Sequence, residues 1–430
     1  MNIATIVPWW AAIIGLLVAI GLILIKFNPT YSLFIGAIAG CLLGGESLVD
    51  TVTILTAGTS SIMGTAIRVL AAGFLAGVMM ESGAAESIAN AIVVKLGDRL
   101  AIFSLALSAM ILTAVGVFIP VAVLIVAPIA LAVGKRSNIG KLALLVALSG
   151  GGKAGNAISP NPNTIAAAGG FHVNLADVMI ASFIPAVFGL AMAVLLATLL
   201  KNKGNRVAEH DLDGLAEEKN LMPLRKALIA PVLAIILLMV NPIGTMLGLK
   251  FLTNLKIDSL YILPFASIIG TIAMGRANKI IEYSTAGLKK IQDTVLILIG
   301  AGALAGLISA SNLAKEVVLL IQHSGISGTF LAPLAAMLMS LAVGSTSTAV
   351  ILTTGSFGKA ILGTGTSALG AAVMVNAGGT VLDAVPQGNY FHITRDAMHL
   401  SIKDRMKVYP FESLVGFTTT AVATIMYGII

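Results

Sequence analysis

Charge is scarce in this chain. Of its 430 residues only 10% are Asp, Glu, Lys or Arg, where a soluble domain carries about 25%. Mean hydropathy is +1.00, and 57% of the residues are hydrophobic. The surplus apolar surface has to face lipid, which excludes a soluble globular domain. Cysteine is nearly missing too. Cys41 stands alone in an apolar run, so an intrachain disulfide and a cysteine-built metal centre are excluded. The five histidines are scattered, and no His, Asp or Cys grouping offers a nucleophile–base pair or a metal cluster. The chain is therefore read as a non-enzyme without cofactor or metal. Met1–Ile25 lacks a basic n-region and a small-residue cleavage site, so a retained first helix is expected rather than a signal peptide. The pI near 9.4 does not imply a nucleic-acid partner, because basic residues collected in cytoplasmic loops account for it.

What is present is a series of apolar segments, at about 5–25, 30–45, 66–81, 100–134, 140–170, 173–200, 225–248, 256–274, 292–310, 327–361, 366–390 and 410–430. A polar linker, 201–226, separates two similar halves, 1–200 and 227–430. Gly73-Phe-Leu-Ala-Gly77 recurs as Gly302-Ala-Leu-Ala-Gly306, with Ser82 and Ser311 each five residues on. Ala114-Val-Gly116 recurs as Ala342-Val-Gly344. Gly151-Gly152, Asn156 and Pro160-x-x-Asn163 return as Gly378-Gly379, Asp383 and Pro386-x-x-Asn389. Several matches in one order make an internal duplication.

Segments 100–134 and 327–361 are each about 35 residues with a central break, too short for two spans and a turn, so both are read as re-entrant hairpins. With the N-terminus outside, Lys26, Lys95, Arg99, Lys135, Arg136, Arg405 and most other basic residues fall on the cytoplasmic side. Lys250, Lys256, Lys315, Lys359 and, at the margin, Arg68 fall outside. That asymmetry follows the positive-inside rule. The expected fold is an all-α integral membrane protein of two inverted repeats, each with about five crossings, a re-entrant hairpin and a broken helix. That combination marks secondary transporters.

The stretch Ser149–Gly170 reads SGGGKAGNAISPNPNTIAAAGG. Its glycines and prolines disfavour helix, and unpaired backbone is not tolerated in lipid. Ser149–Thr164 is therefore expected to be unwound at a polar site, with Asn376–Asn389 as its counterpart. The candidate substrate contacts are Ser149, Lys153, Asn156, Asn161, Asn163 and Thr164 in the first stretch, and Asn376, Thr380, Gln387 and Asn389 in the second. The hydroxyl-rich hairpin tip adds Ser345, Thr346 and Ser347. Lys153 either neutralises a substrate carboxylate or pairs with Asp383, and Asp383 is the candidate proton-coupling group. A nucleotide-binding loop is excluded, because Ala147 and Ala154 stand where that motif needs Gly and Ser/Thr. His172, His392 and His399 read as structural or interfacial, and Trp9-Trp10 as an interfacial anchor.

The arrangement resembles the gluconate permease family, gluconate:proton symporters within a wider ion-transporter superfamily. The residues that carry the resemblance are Gly77 with Glu81-Ser82-Gly83-Ala84 and Ile88-Ala89, Ala147-Leu148-Ser149 leading to Pro160-Asn161-Pro162, and Ala342-Val-Gly344-Ser345-Thr346 with Gly378-Gly379-Thr380-Val381. The resemblance implies proton-driven uptake of a sugar acid or small hydroxycarboxylate, gluconate- or glycerate-like, at a bacterial inner membrane. Sodium as coupling ion and a homodimer stay open. The chain departs from the family's Pro-Pro-His-Pro-Gly-Pro at Ser159–Thr164, and from its His-x-Asn-Asp-Pro at Asp383–Asn389. The Pro-Asn-Pro-Asn form resembles glycerate-type members. An ion or oxyanion antiporter on the same architecture is the alternative.

Overall fold

The computed structural model describes residues 7–212, 221–255, 257–324 and 327–429. Lys256 and the middle of the linker, 213–220, lie outside the described residues. The first half runs α1 (Trp9–Leu24), α2 (Pro29–Leu43), α3 (Leu48–Glu81), α4 (Ala84–Leu96), α5 (Ala101–Ala114), α6 (Ile119–Arg136), α7 (Lys141–Ala157), α8 (Pro162–Gly170), α9 (Leu175–Ala181) and α10 (Phe183–Leu199). Short α11 (Leu224–Ala227) closes the linker and leads into the second half. It continues α12 (Ile229–Met246), α13 (Lys250–Asn254), α14 (Ser259–Ala273), α15 (Ile280–Ala310), α16 (Leu313–Ser324), α17 (Leu331–Val343), α18 (Thr346–Gly363), α19 (Ala368–Gly378), α20 (Asn389–Ala397) and α21 (Ile402–Thr424). No named β-strand occurs among the described residues.

Four helices are long and apolar enough to cross a membrane: α3, α6, the run Leu224–Met246, and Ala277–Ala310. The number rises to six if each of two sharply bent pairs counts as a span, Ala84–Leu96 with Asp98–Ala114 (103°) and Lys141–Gly170 with Leu175–Ala181 (106°). Helices α1, α2, α10 and α14 are apolar but only 15–17 residues long, about 24 Å at 1.5 Å per residue.

At segment starts, the two largest differences from the sequence reading are those of α3 and α15. Helix α3 begins at Leu48 and α15 at Ile280, well before the apolar runs at 66 and 292. Polar residues such as Thr53, Thr56 and Thr285 hid the extensions. Each of these hydroxyls bonds back to a carbonyl of the preceding turn, so polarity there does not end the helix.

α3 and α15 pack closely against each other through glycine. Gly77 packs on Gly287, and Gly73 on Ile291. Gly306 packs on Gly58, and Gly302 on Ile62. The second set is the first with the helices exchanged, at the offset of 229 that separates Gly73 from Gly302. Small residues let membrane helices approach closely enough for backbone contact. A Cβ at Gly77 would overlap the Tyr283 carbonyl and lie 2.7 Å from Gly287 Cα. Gly77→Leu is therefore expected to abolish the monodisperse folded peak in size-exclusion chromatography of detergent-solubilised protein, since overpacking costs at least about 1–3 kcal/mol. Gly21→Leu, whose Cβ meets nothing within 4 Å, should keep the wild-type profile. A normal Gly77→Leu peak would refute the close crossing.

The first part of the linker, 201–212, is anchored at two points. Gly140 bridges to Arg206, and Arg206 donates to the carbonyls of Asn138 and Lys201. Asp211 is fully buried and pairs with Lys141 at 2.5 Å, the first residue of α7. Burial alone would push the Asp211 carboxyl up. The Lys141 ammonium, the Ala208 N–H and His210 together bring it below the ordinary carboxylate range. The linker thus ties down the end of the helix that carries Lys153.

Candidate substrate site

The triple glycine is helical. α7 runs through Ser149, Gly150–Gly152, Lys153 and Asn156 without interruption, and only residues 158–161 leave helix before α8 begins at Pro162. This corrects the expectation of unwound backbone from Ser149 to Thr164. The glycines serve close packing. A Cβ at Gly151 would overlap the Ala106 carbonyl of α5, and one at Gly155 the Met110 carbonyl. One at Gly152 would lie 2.9 Å from Ile119, next to the first hairpin tip. Burial against α5 supplies what the propensity of glycine withholds. The real break follows from Pro160 and Pro162, which remove two amide donors. In the second half, α19 extends through Asn376 to Gly378, and residues 379–388 are non-helical.

The two breaks meet. Asn163 Nδ2 donates to Asn376 Oδ1 at 2.7 Å. Asn376 Nδ2 donates to the Ala157 carbonyl at 3.2 Å and to Thr164 Oγ1 at 3.4 Å. Asn156 Nδ2 donates to Asn163 Oδ1 at 3.2 Å, and Asn161 Nδ2 to the Asn156 carbonyl at 3.0 Å. Asn161 also caps α8 through the Thr164 N–H. All five side chains are buried. Four residues of one half and one of the other thus form a single amide–hydroxyl cluster.

One turn away on α7 lies the charged part. Lys153 Nζ is 2.6 Å from Asp383 Oδ1 and also donates to the Thr380 carbonyl. The Thr346 hydroxyl donates to Asp383 Oδ2. Lys153 is 1% exposed and Asp383 3%, so neither charge reaches water, and each is compensated by the other. A buried ammonium in a membrane protein requires such a partner. Thr346 comes from the second hairpin tip, where Gly344 turns at φ +63 and presses on Gly388. The tip is thereby held against the second break. Ser345 caps α18 through the Thr348 N–H, and Ser347 is half-buried.

Two of the expected residues are not brought here. Gln387 and Asn389 are exposed, and Gln387 donates to the Leu341 carbonyl instead. The second break is longer than the first, so its C-terminal end swings outward, and matched repeat spacing does not carry Asn389 inward. Ser149 is buried and pairs with the hydroxyl of Tyr390.

Tyr390 leads to a network that the sequence reading missed. Its hydroxyl donates to Glu412 at 3.4 Å. Glu412 takes two bonds from Arg405, at 2.7 and 3.1 Å. Arg405 also donates to Thr394 at 3.0 Å and stacks over the Phe391 ring at 4.8 Å. Both ions are fully buried. Counted in the sequence only among the cytoplasmic-side basic residues, Arg405 is therefore a buried ion rather than a solvated one. The available signal was spacing: Arg405 and Glu412 stand seven residues apart on α21, hence on one helix face.

The sequence pattern of the GntP family permeases matches residues 4–430. The chain belongs to the GntP permease family. It is 44% identical over 418 residues to an uncharacterized transporter of Haemophilus influenzae, covering 97% of each chain. It is 23% identical over 430 residues to the high-affinity gluconate transporter of Escherichia coli, covering 95% of each. To the D-serine transporter of the same organism it is 22% identical over 359 residues, covering 78% of each. The crystal structure of the YdaH transporter of Alcanivorax borkumensis superposes with a TM-score of 0.68 at 14% identity, covering 89% of this chain and 90% of that one. This GntP permease therefore shares an established transporter fold. It is a multi-pass protein of the bacterial inner membrane, in a family of permeases rather than enzymes.

Proposed function

We propose that this permease is a secondary active transporter importing a small hydroxycarboxylate or sugar acid, gluconate- or glycerate-like, by proton symport. The observation that carries the reading is the buried Lys153–Asp383 pair beside the asparagine cluster. Relatives named for gluconate and D-serine handle molecules that share a carboxylate and at least one hydroxyl. Lys153 suits the carboxylate, and the amides and Thr164 suit hydroxyls. In the structure Asp383 occupies the cation. A proton taken up by Asp383 removes its charge and frees Lys153 for the substrate carboxylate. Loss of the proton returns Lys153 to Asp383 and expels the anion. Proton and substrate then move together because each alone leaves a buried charge uncompensated.

The two halves act as inverted repeats of about five crossings each, with the linker cytoplasmic and both termini external. The exchanged glycine contacts of α3 and α15 support this reading, as does the recurring order of long helix, short helix, hairpin and broken helix.

Uptake of labelled gluconate, glycerate and D-serine into proteoliposomes, under imposed pH or sodium gradients, tests the proposal. An inward proton gradient is expected to drive accumulation of at least one of them. Asn163→Ala and Asn376→Ala should each weaken apparent affinity about tenfold or more, the effect of losing a hydrogen bond to an anionic ligand. Asn389→Ala, at an exposed position, should leave it unchanged. A sodium gradient as sole driver would refute proton symport. Equal sensitivity at Asn389 and Asn163 would refute the site.

A further inference from the structure

On the face away from the linker, a cavity of about 360 Å³ lies between α3, the end of α8 and the start of α14. A neighbouring cavity of about 450 Å³ shares Asn174, Asn241, Ile257 and Asp258 with it. Ile165 is in its wall, and the preceding residue is Thr164 of the asparagine cluster. The cavity therefore approaches the candidate substrate site along α8.

Arg68 is the only lysine or arginine in its lining among the described residues. Its Nε lies 3.0 Å from each oxygen of Asp258, its Nη2 2.7 Å from Oδ2, and its Nη1 3.0 Å from the Gly64 carbonyl. A guanidinium has five N–H donors. Three are used among the described residues, and one on each terminal nitrogen remains. Asp258 has other duties, since it caps α14 through the Leu260 N–H at 2.8 Å. Burial alone would raise its carboxyl, but Arg68 and that N–H hold it below the ordinary range. It is thus a fixed carboxylate beside a fork that is only partly filled. A second feature points the same way. Asn241 also lines the cavity, its buried Oδ1 has no hydrogen-bond partner among the described residues, and an acceptor without a partner suits a ligand hydroxyl.

We propose that Arg68 is the cation of a capture site in this cavity, where a small hydroxycarboxylate docks before it reaches the asparagine cluster. The inference rests on the reading of a carboxylate importer and adds a second, earlier site to it. Competition from Asp258 keeps the site weak, as a station on a transport path must be, so that the ligand leaves again.

The alternative is a plain tether between α3 and α14, and the two roles separate by sign. Initial uptake rates of gluconate, glycerate and D-serine are measured in right-side-out vesicles. Arg68→Gln should raise the half-saturation concentration about tenfold, as loss of a charged hydrogen-bond donor does, with the maximal rate nearly unchanged. Asp258→Asn retains a cap for α14, frees the guanidinium, and should lower the half-saturation concentration. A tether predicts movement in one direction, because both substitutions break the same pair. Half-saturation that rises in both variants, or moves in neither, overturns the capture site. Should Arg68→Gln fail to fold, Asp258→Asn decides alone: a lower value supports the site, and an equal or higher one overturns it. A wild type that carries none of the three compounds overturns the carboxylate reading and the capture site with it, whereas a transporting wild type with unresponsive variants overturns the capture site only.

Discussion

Asp383→Asn is expected to abolish uphill accumulation while substrate exchange without a gradient continues. The amide mimics the protonated carboxyl, so Lys153 stays available to the substrate, but no proton can be released. In proteoliposomes with an imposed pH gradient, internal substrate should equilibrate with the outside and rise no further. Lys153→Met should behave differently. It removes the cation, and binding should fall by roughly tenfold to a hundredfold, the range of about 1.5–3 kcal/mol for a charged hydrogen bond. It also strands Asp383, which is 3% exposed, and breaking a buried pair costs about 3–5 kcal/mol. The double variant Lys153→Met/Asp383→Asn separates the two effects. It should recover folding and remain unable to bind. Accumulation by Asp383→Asn on a proton gradient alone would remove Asp383 from the coupling mechanism.

The second large effect is structural. Arg405→Met leaves Glu412 fully buried without its two guanidinium bonds, and a loss of about 3–5 kcal/mol is expected. Thermal unfolding of the detergent-solubilised protein should show a sharply lowered transition. Arg405→Met/Glu412→Leu should regain most of the loss, because an apolar pair needs no compensation. Tyr390 would then lose its acceptor on α21 while keeping Ser149, so transport by the stable double variant reports whether the network also positions the α7 face next to Lys153. An Arg405→Met protein as stable as the wild type would show that Glu412 finds another partner.

Legibility in the sequence varied with how local each cause was. The helical membrane class followed from composition, since lipid admits few other solutions for so apolar a chain. The helix breaks between α5 and α6 and between α17 and α18 were legible because they carry Gly116 and Pro120 or Gly344 and a hydroxyl run. Lys153 and Asp383 stood out as the charges in otherwise uncharged stretches, and Asn163 and Asn376 as amides among the polar residues of the two stretches. The unwound stretch was misread because propensity is a local quantity. Gly150–Gly152 stay helical only because α5, α6 and α10 close on them, and no window around residue 150 contains those partners. Asn389 was misplaced for a similar reason: repeat spacing assumes breaks of equal length, and the second break has ten residues where the first has four.

What the sequence by itself determined was the solvent, the helical class and the sparse set of polar groups available to a buried site. Each is fixed by the energy of single residues in lipid or by their periodicity, and both are written along the chain. Only the tertiary structure decided which polar groups meet. It joined Asn163 to Asn376 across 213 positions and Lys153 to Asp383 across 230. It also sent Gln387 and Asn389 to the surface and buried Arg405 against Glu412. The physical reason is that pairing depends on separation in space to within a few tenths of an ångström, and helix packing sets that separation. In this chain the packing is set by glycines on facing helices, which say that a close approach is possible but not which helix will make it.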